Sequence, residues 1–395
     1  MKIFIWIAII LVISFCIFVV LNPYLFVYIY KILEDSITQE LSYSPPRKAF
    51  TIAFEGDTVI SISSGVYEKH KNPRLNLKSL KREKYIEIIP IDHPNPRFPE
   101  WFGELKKLDR LSAVGTSLTS LPDNFGDLKN LESLTLKQNK LTTLPESFGD
   151  LEKLIYLELW ANGLTAIPES FGRLQNLRTL DLYGNYLTSF PDSFWELENL
   201  SFLYIGNNCL ETISDGIGNF KNLYDLSLGN NSITMLPESI GNLENLKELD
   251  LFKNKLTTLP ESFGNLKKLR KLNLSGNLIC GLPESFGNLQ ELNNLDLRNN
   301  QLTTFPESII KLENLSWLYL EHNKLTSLPE NIGELQNLEC LDVKNNNLTI
   351  LPESIVKLSP IFAYFEDNKL KRENLSSEVI EWLNKNNRNW EKNQK

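Results

Sequence analysis

The sequence predicts an α/β repeat solenoid, with a parallel β-sheet on its concave face and irregular or 3-10 turns on its convex face. One pattern, LxxLxLxxNxLxxLPxxFGxLxx, recurs every 23 residues from Tyr85 to Asn337 without an insertion. Self-similarity at such a period is typical of solenoids. The LxLx portion alternates as a short strand does. The proline of the outer segment, with only ~10 residues available there, leaves little room for a full helix.

The recurring apolar positions each have a physical role, as the copy that begins at Leu246 illustrates. Leu249 and Leu251 are two residues apart in the strand and therefore face the core together. Phe263 and Leu266 return from the outer turn and fill the space behind the strand. Because one coil alone cannot bury both of its faces, stability should come from the stacking of neighbouring coils.

The asparagine at the ninth position of the pattern predicts a ladder of side-chain amides. Each amide turns the chain out of the strand and can bond backbone groups that would otherwise be buried unpaired. The predicted ladder comprises Asn139, Asn162, Asn185, Asn208, Asn231, Asn254, Asn277, Asn300, Asn323 and Asn346. Because water should reach the end of the array more easily, we expect the loss of Asn346 to cost less stability than the loss of Asn231.

These motifs resemble the leucine-rich repeat, in the 23-residue class that carries LPxxFGxL on the convex side. They are similar to the repeats of bacterial leucine-rich repeat proteins and of Ras-group leucine-rich repeat scaffolds. The resemblance covers residues 85–370, about twelve repeats, and implies a right-handed horseshoe. For function it implies protein binding and little more, because a fold does not fix a function.

Residues 1–31 are predicted to form a transmembrane anchor. Residues 3–21 are apolar or nearly so and carry no charge, and a second apolar run follows at residues 24–30. A helix over the first run would be ~28 Å long, which roughly matches a bilayer core. A cleaved signal peptide is an alternative, although its apolar region would be unusually long. A lipoprotein signal at Cys16 is another, but a small residue does not precede the cysteine.

The charges around the predicted anchor give its orientation only weakly. Lys2 favours a cytoplasmic N-terminus, whereas Lys31, Arg47 and Lys48 favour the opposite arrangement. We expect a single-pass protein whose repeats lie outside the cytoplasm. Repeats on the cytoplasmic side, or secretion after signal cleavage, remain open.

Residues 32–48 are predicted to be a linker and residues 49–84 an N-terminal cap. Two alternating runs, at 49–54 and 59–63, flank a turn-like segment and predict a β-hairpin. Such a hairpin would cover the open strand edge of the first coil. The basic stretch at 69–84 is expected to be a solvated connection, and a contact with anionic lipid is the alternative.

Residues 371–395 are predicted to form a C-terminal capping helix and a polar tail. The register slips by one residue after Leu358, although Asn368 still keeps a ladder position. Ser376 or Ser377 can cap a helix whose apolar residues close the end of the core. The tail from Asn384 is polar, so we expect it to be frayed.

Composition argues against an enzyme, a cofactor and a metal site. The net charge of −8 argues against a nucleic-acid partner. Three histidines, far apart in sequence, lack metal or triad spacing, and no glycine-rich phosphate loop precedes a lysine. Four cysteines are too few for a disulfide framework. We therefore expect a monomeric, non-catalytic protein with neither a cofactor nor a bound metal.

The candidate binding residues are aromatic side chains at the outward positions of the strands. Aromatics are common in strands in general, but one group here occupies adjacent coils. The candidate residues are Tyr156, Trp160, Tyr183, Phe202, Tyr204, Tyr224 and Phe252, followed further along by Trp317 and Tyr319 beside His322. Together with the predicted anchor, these residues predict a membrane-anchored protein that binds an unidentified protein partner through its concave face. An envelope-polymer or carbohydrate binder and a structural spacer remain as alternatives.

Overall fold

The computed structural model describes residues 50–55, 58–62, 80–88, 97–387, 389–391 and 394. The predicted anchor and linker lie outside the described residues. No helix in the described part of the chain is both long and apolar enough to cross a membrane.

Fifteen short strands in the described residues form one sheet. The strands are β1 (Phe50–Glu55), β2 (Thr58–Ile62), β3 (Tyr85–Ile88), β4 (Arg110–Ala113), β5 (Ser133–Thr135), β6 (Tyr156–Glu158), β7 (Thr179–Asp181), β8 (Phe202–Tyr204), β9 (Asp225–Ser227), β10 (Glu248–Asp250), β11 (Lys271–Asn273), β12 (Asn294–Asp296), β13 (Trp317–Tyr319), β14 (Cys340–Asp342) and β15 (Phe362–Tyr364). From β3 to β15 each strand pairs in parallel with the next along the chain. The predicted repeat solenoid is therefore confirmed.

The sheet begins with an antiparallel pair at the position where the sequence predicts a hairpin. Strand β1 pairs in parallel with β3 on one side and antiparallel with β2 on the other. The first parallel coil therefore does not have an open strand edge at β3. The boundaries assigned above to the cap remain a prediction.

The outer segments of the coils are short 3-10 helices. Their bounds are Glu100–Glu104, Phe125–Asp127, Glu146–Asp150, Glu169–Arg173, Asp192–Glu196, Asp215–Asn219, Glu238–Asn242, Glu261–Asn265, Glu284–Asn288, Glu307–Lys311, Ile332–Glu334, Glu353–Lys357 and Arg372–Asn374. Most begin directly after a proline such as Pro260, whose φ is −69°. The pyrrolidine ring fixes this angle, so the proline ends the extended segment and starts the turn.

The core lies between the sheet and the outer turns and is continuous from coil to coil. The strand leucines and the phenylalanine or isoleucine of each outer turn are almost completely buried. In the first coils the phenylalanine rings stack, with centroids 6.0 Å apart for Phe125 and Phe148 and 5.9 Å apart for Phe148 and Phe171. Each coil thus covers the apolar side of its neighbour, which is how a solenoid gains its stability.

The glycine after that phenylalanine is required by the close approach of the next coil. A Cβ atom placed on Gly149 would lie 2.0 Å from the carbonyl oxygen of Ser170, and one on Gly264 would lie 2.2 Å from that of Ser285. Three coils have a larger residue in place of this glycine, and the largest of the three, Trp195, is buried. The next coil has Gly216 where most coils have serine, and a Cβ atom there would lie 2.4 Å from Cγ of Trp195. The tryptophan and this glycine therefore form a matched pair.

The asparagine ladder forms as predicted. The Asn277 amide donates to Leu251 O at 2.9 Å and to Leu274 O at 3.0 Å, while its Oδ1 accepts from Leu256 N at 3.1 Å. Leu274 O also accepts from Asn300 in the next coil, at 2.9 Å. Each such carbonyl is thus shared by two asparagines, so the ladder is a continuous chain of hydrogen bonds.

The expectation that Asn346 is more accessible to water than Asn231 is wrong. Asn346 is 1% exposed because Asn368 and the C-terminal residues lie over it, whereas Asn231 is only half-buried. Asn231 lies beside Asn208, which is also half-buried, and near Gly206 and Gly229, which have no side chain.

Helix α1 (Ser377–Asn386) covers the C-terminal end of the core. The Ser376 side chain accepts a hydrogen bond from Val379 N at 3.3 Å, which makes Ser376 the N-cap. Val379, Trp382 and Leu383 are buried, and the Trp382 indole donates to Leu358 O at 2.8 Å. The tryptophan thus satisfies a carbonyl of the last regular coil.

For the described residues of the tail, the expectation of fraying from Asn384 is wrong. Trp390 is 1% exposed, and its indole nitrogen donates to Asn384 Oδ1 at 3.1 Å. Further on, Gln394 Oε1 accepts from Leu370 N at 2.9 Å, and its amide donates to Phe365 O at 3.1 Å. These are the bonds that the next ladder asparagine would make, so Gln394 extends the ladder past Asn368.

Candidate binding surface on the concave face

The strand register arranges the outward-facing side chains in three rows along the solenoid. Row 1 holds the first residue of each strand, row 2 the third residue, and row 3 the residue two positions beyond the strand. Tyr156, Phe202 and Trp317 lie in row 1, Tyr204 and Tyr319 in row 2, and Trp160, Tyr183 and Phe252 in row 3. Tyr224 directly precedes β9. Adjacent members of a row are ~5 Å apart because neighbouring strands have that spacing.

The first aromatic group spans β6 to β10, and most of its side chains are half-buried. Trp160 and Tyr183 follow consecutive strands, and the Lys137 ammonium lies 5.8 Å from the centre of the Trp160 ring. Phe202 and Tyr224 form a ring pair with centroids 5.8 Å apart and planes inclined by 45°. The Tyr204 hydroxyl donates to Asp225 Oδ2 at 2.9 Å, which fixes the direction of its ring.

Two glycines in row 3 lie beneath the side chains of the first aromatic group, and the sequence did not predict this role for them. Gly206 and Gly229 are buried, and a Cβ atom on Gly206 would lie 3.1 Å from the Tyr183 ring. A Cβ atom on Gly229 would lie 2.1 Å from the Phe252 ring and 2.9 Å from Asp250 Oδ2. The ring of Tyr183 therefore packs on the backbone of Gly206, and the ring of Phe252 packs on the backbone of Gly229 from the opposite side. Burial, and then the charges of Asp250 and Asp181, raise the pKa of Tyr183.

Row 2 is rich in aspartates, and these have a structural role. The Asp181 carboxylate accepts from Tyr183 N at 2.9 Å, and the Asp250 carboxylate accepts from Phe252 N at 3.2 Å. Each pair of residues lies two positions apart, as in an Asx turn. The carboxylates thereby hold the backbone that carries the row 3 aromatics.

A groove of about 820 Å³ runs along the side where the chain enters the strands. Four cationic side chains line it, Arg178, Lys247, Lys268 and Arg270, together with Phe202, Tyr224 and a row of asparagines. Its one carboxylate, Glu291, pairs with Arg270 at 3.0 Å. We call this feature the basic groove.

The second aromatic group, near the C-terminal end, is larger than the sequence indicated. Trp317 lies 6.4 Å from Tyr319 and 6.1 Å from Phe362, measured between ring centroids. Phe362 and Tyr364 were not among the predicted residues because the shortened repeat moves them out of the regular spacing. Aligning the repeats on Asn368 instead would have brought both into the strand. His322 is exposed, and its Nε2 lies 3.5 Å from Glu321 Oε1.

Charged groups surround the second aromatic group. Arg298 Nε donates to Asp296 Oδ1 at 3.0 Å, and the guanidinium lies 5.0 Å from the centre of the Tyr319 ring. Burial raises the pKa of Asp342 to about 6, an effect that Lys344 at 3.6 Å opposes. Burial likewise raises the pKa of the Cys340 thiol to about 12, so that this cysteine is a neutral, unreactive thiol.

No group of three or more histidine, cysteine or carboxylate side chains suited to hold a metal ion occurs within the described ranges. The cysteines of those ranges, Cys209, Cys280 and Cys340, are all free.

The repeats match family descriptions over most of their length. The description Leucine rich repeat matches residues 106–164, 221–279 and 337–358, and Leucine-rich repeat region matches residues 153–231 and 261–325. A solved leucine-rich repeat protein of Leptospira interrogans is 30% identical, with a TM-score of 0.58 over 78% of this chain and 90% of the other. The chain therefore belongs to the leucine-rich repeat family.

Two complexes are also among the similar structures. The plant peptide hormone receptor RGFR1, solved in complex with RGF2, is 30% identical, with a TM-score of 0.61 over 74% of this chain and 53% of the receptor. The Toll–Spatzle complex of Drosophila gives 27% identity and a TM-score of 0.63 over 75% of this chain and 41% of the other. The chain thus spans about half or less of each of these two chains. No curated protein sequence matches it.

Proposed function

We propose that this protein is a membrane-tethered, non-catalytic scaffold that binds a protein partner through its concave face. The observation that carries the proposal is the first aromatic group, which is spread over consecutive coils on a rigid parallel sheet. The proposed contact residues are Tyr156, Trp160, Tyr183, Phe202, Tyr204, Tyr224, Phe252, Trp317 and Tyr319. Similar structures that hold a peptide or protein ligand give further support.

The side chains of the first group are suited to act as anchors. Tryptophan and tyrosine are large and rigid and often contribute most of the binding energy of an interface. Trp160 and Tyr183 are partly covered by their neighbours, so little side-chain freedom remains to be lost on binding. Ordinary monomers seldom leave an apolar patch of this kind without a use.

A comparison of partner recovery between variants tests the proposed surface. Trp160→Ala should weaken binding by ~2 kcal/mol or more if Trp160 is an anchor. The double variant Trp160→Ala, Tyr204→Ala should therefore lose the partners that wild type recovers from the native source. Glu261→Ala, on a convex turn, is the matched control and should keep them. Equal recovery by wild type and the double variant would mean that the concave aromatic surface is wrong.

The membrane tether is proposed from the apolar run at residues 3–21, with the repeats outside the cytoplasm. Protease added to intact cells tests the orientation. The repeats should be degraded together with a known external protein. Survival of the repeats under conditions in which that protein is cut would contradict the proposed orientation.

A further inference from the structure

We infer that the basic groove receives an acidic, extended peptide segment of the protein partner. The inference rests on the proposed function in one respect, that the partner is a protein. It adds the chemistry of the segment and locates it on the side of the sheet where the strands begin, beside Phe202 and Tyr224.

Charge is the first reason. The whole chain carries a net charge of −8, yet four cations and one carboxylate line the groove. Arg270 is neutralised by Glu291. Among the described residues Arg178, Lys247 and Lys268 have no carboxylate partner. A local positive field in an acidic protein attracts an acidic ligand and excludes basic ones.

The arrangement of the lysines is the second reason. The Lys247 ammonium lies 4.7 Å from the centre of the Tyr224 ring, and the Lys268 ammonium donates to Asn245 Oδ1 at 2.7 Å. Both contacts hold the charge at the groove wall and leave room for a carboxylate. They reduce the side-chain freedom that an incoming carboxylate would otherwise have to remove.

The aromatic pair favours a peptide over a carbohydrate. A sugar ring stacks on an open, flat aromatic face, but Lys247 covers one face of Tyr224. The Phe202 and Tyr224 planes are inclined by 45°, so together they form a notch and not a platform. A notch of this shape suits an apolar side chain.

The spacing of the groups predicts the pattern of the segment. Arg178 directly precedes β7 and Lys247 directly precedes β10, three strands further on. At ~5 Å per strand these positions are ~15 Å apart, which an extended peptide spans in about four or five residues. The segment should therefore carry two acidic residues at that separation, with an apolar residue between them for the aromatic notch.

Binding of a defined probe tests the inference directly. The probe is a short fluorescein-labelled peptide with glutamates at that separation on either side of a phenylalanine, and its counterpart has glutamine in place of glutamate. Fluorescence anisotropy with purified protein should show binding of the glutamate peptide only, and the binding should weaken as salt is added.

Two charge-reversed variants isolate the groove. Arg178→Glu, Lys247→Glu should weaken binding of the probe by about tenfold or more, because two attractive pairs become repulsive. Lys255→Glu, Lys324→Glu changes the net charge equally at exposed sites outside the groove and should bind as wild type does. Far-UV circular dichroism and the urea midpoint establish that both variants are folded.

Other outcomes overturn the inference. They are equal binding of the two peptides by wild type, equal weakening by both double variants, or binding of an acidic polysaccharide with no binding of the glutamate peptide. These results leave the proposed function intact, because Trp160 and Tyr204 do not line the groove. Failure of the recovery experiment with those two residues would instead remove the proposed function without affecting probe binding.

Discussion

Replacing ladder asparagines by alanine should cost more near the C-terminal end of the array than in its middle. In Asn346→Ala the carbonyl of Val343 keeps a second donor, since the Asn368 amide also bonds it, at 2.9 Å. In Asn231→Ala the carbonyl of Ile205 likewise keeps Asn208, at 3.1 Å. The carbonyls therefore do not distinguish the two variants.

The orphaned backbone amide decides the size of the effect. Asn346 Oδ1 accepts from Leu325 N, and Asn231 Oδ1 accepts from Leu210 N, both at 3.0 Å. The first bond is buried, so its N–H would be left unpaired at a cost of ~1–3 kcal/mol. The second is only partly buried, so water can take the acceptor's place and only the net value of a hydrogen bond is lost, ~0.5–1.5 kcal/mol.

Urea unfolding of the two variants, followed by circular dichroism, measures the difference. Because repeat arrays can unfold in parts, native-state hydrogen exchange should be measured as well. Exchange of the Leu325 amide should accelerate in Asn346→Ala. An Asn231→Ala variant that loses as much stability as Asn346→Ala, or more, would refute the assignment of cost to the buried orphan amide.

Three further predictions concern the C-terminal residue Gln394, the contact between Trp195 and Gly216, and the buried carboxyl group of Asp342. Gln394→Ala should lower the urea midpoint, and Gln394→Glu should do so too because it loses the donor to the last ladder carbonyl; a midpoint unchanged in both would mean that the tail adds nothing. Gly216→Ser should cost on the order of 1–3 kcal/mol by overpacking against Trp195, and the cost should vanish in a Trp195→Gly background, which a double-mutant cycle measures. The pKa of Asp342 is raised on folding from an ordinary value near 4, so the folded state holds its proton more tightly. The contribution of this carboxyl to the free energy of unfolding is therefore fully present below about pH 4 and is lost as pH rises to about 6. Asp342→Asn should become more stable relative to wild type across that range, and parallel pH profiles of the two would contradict the raised pKa.

The repeat pattern predicts the fold well because each apolar position has one physical use. Leu249 and Leu251, for example, lie two residues apart, so both face the core only if the chain between them is a strand. The ladder follows from the ninth-position asparagine by the same reasoning. The exposure of each ladder asparagine could not be predicted from the repeat pattern, because it depends on what lies over the residue. The contact of Gln394 with Phe365 could not be predicted either, because the tail carries no repeat signal.

The candidate surface was predictable in composition but not in shape. The aromatic residues and their rows follow from the strand period. The role of Gly206 and Gly229 does not, because a glycine beyond a strand is indistinguishable in sequence from an ordinary turn residue. The basic groove was also missed, because its residues come from several successive repeats and lie at or just before the strand starts, so that only the stacked coils bring them together.

The pairing of Trp195 with Gly216 has a consequence for how the chain finds its native order. Coils that differ little in sequence can dock on the wrong neighbour during folding, which is a characteristic failure of repeat proteins. The coil that carries Trp195 packs best against a partner with glycine at the facing position. The coils that follow offer Ser239, Ser262 or Ser285 there, whose side chains would collide with the indole. The contact between Trp195 and Gly216 thus favours the native pairing of these two coils over docking on a later coil.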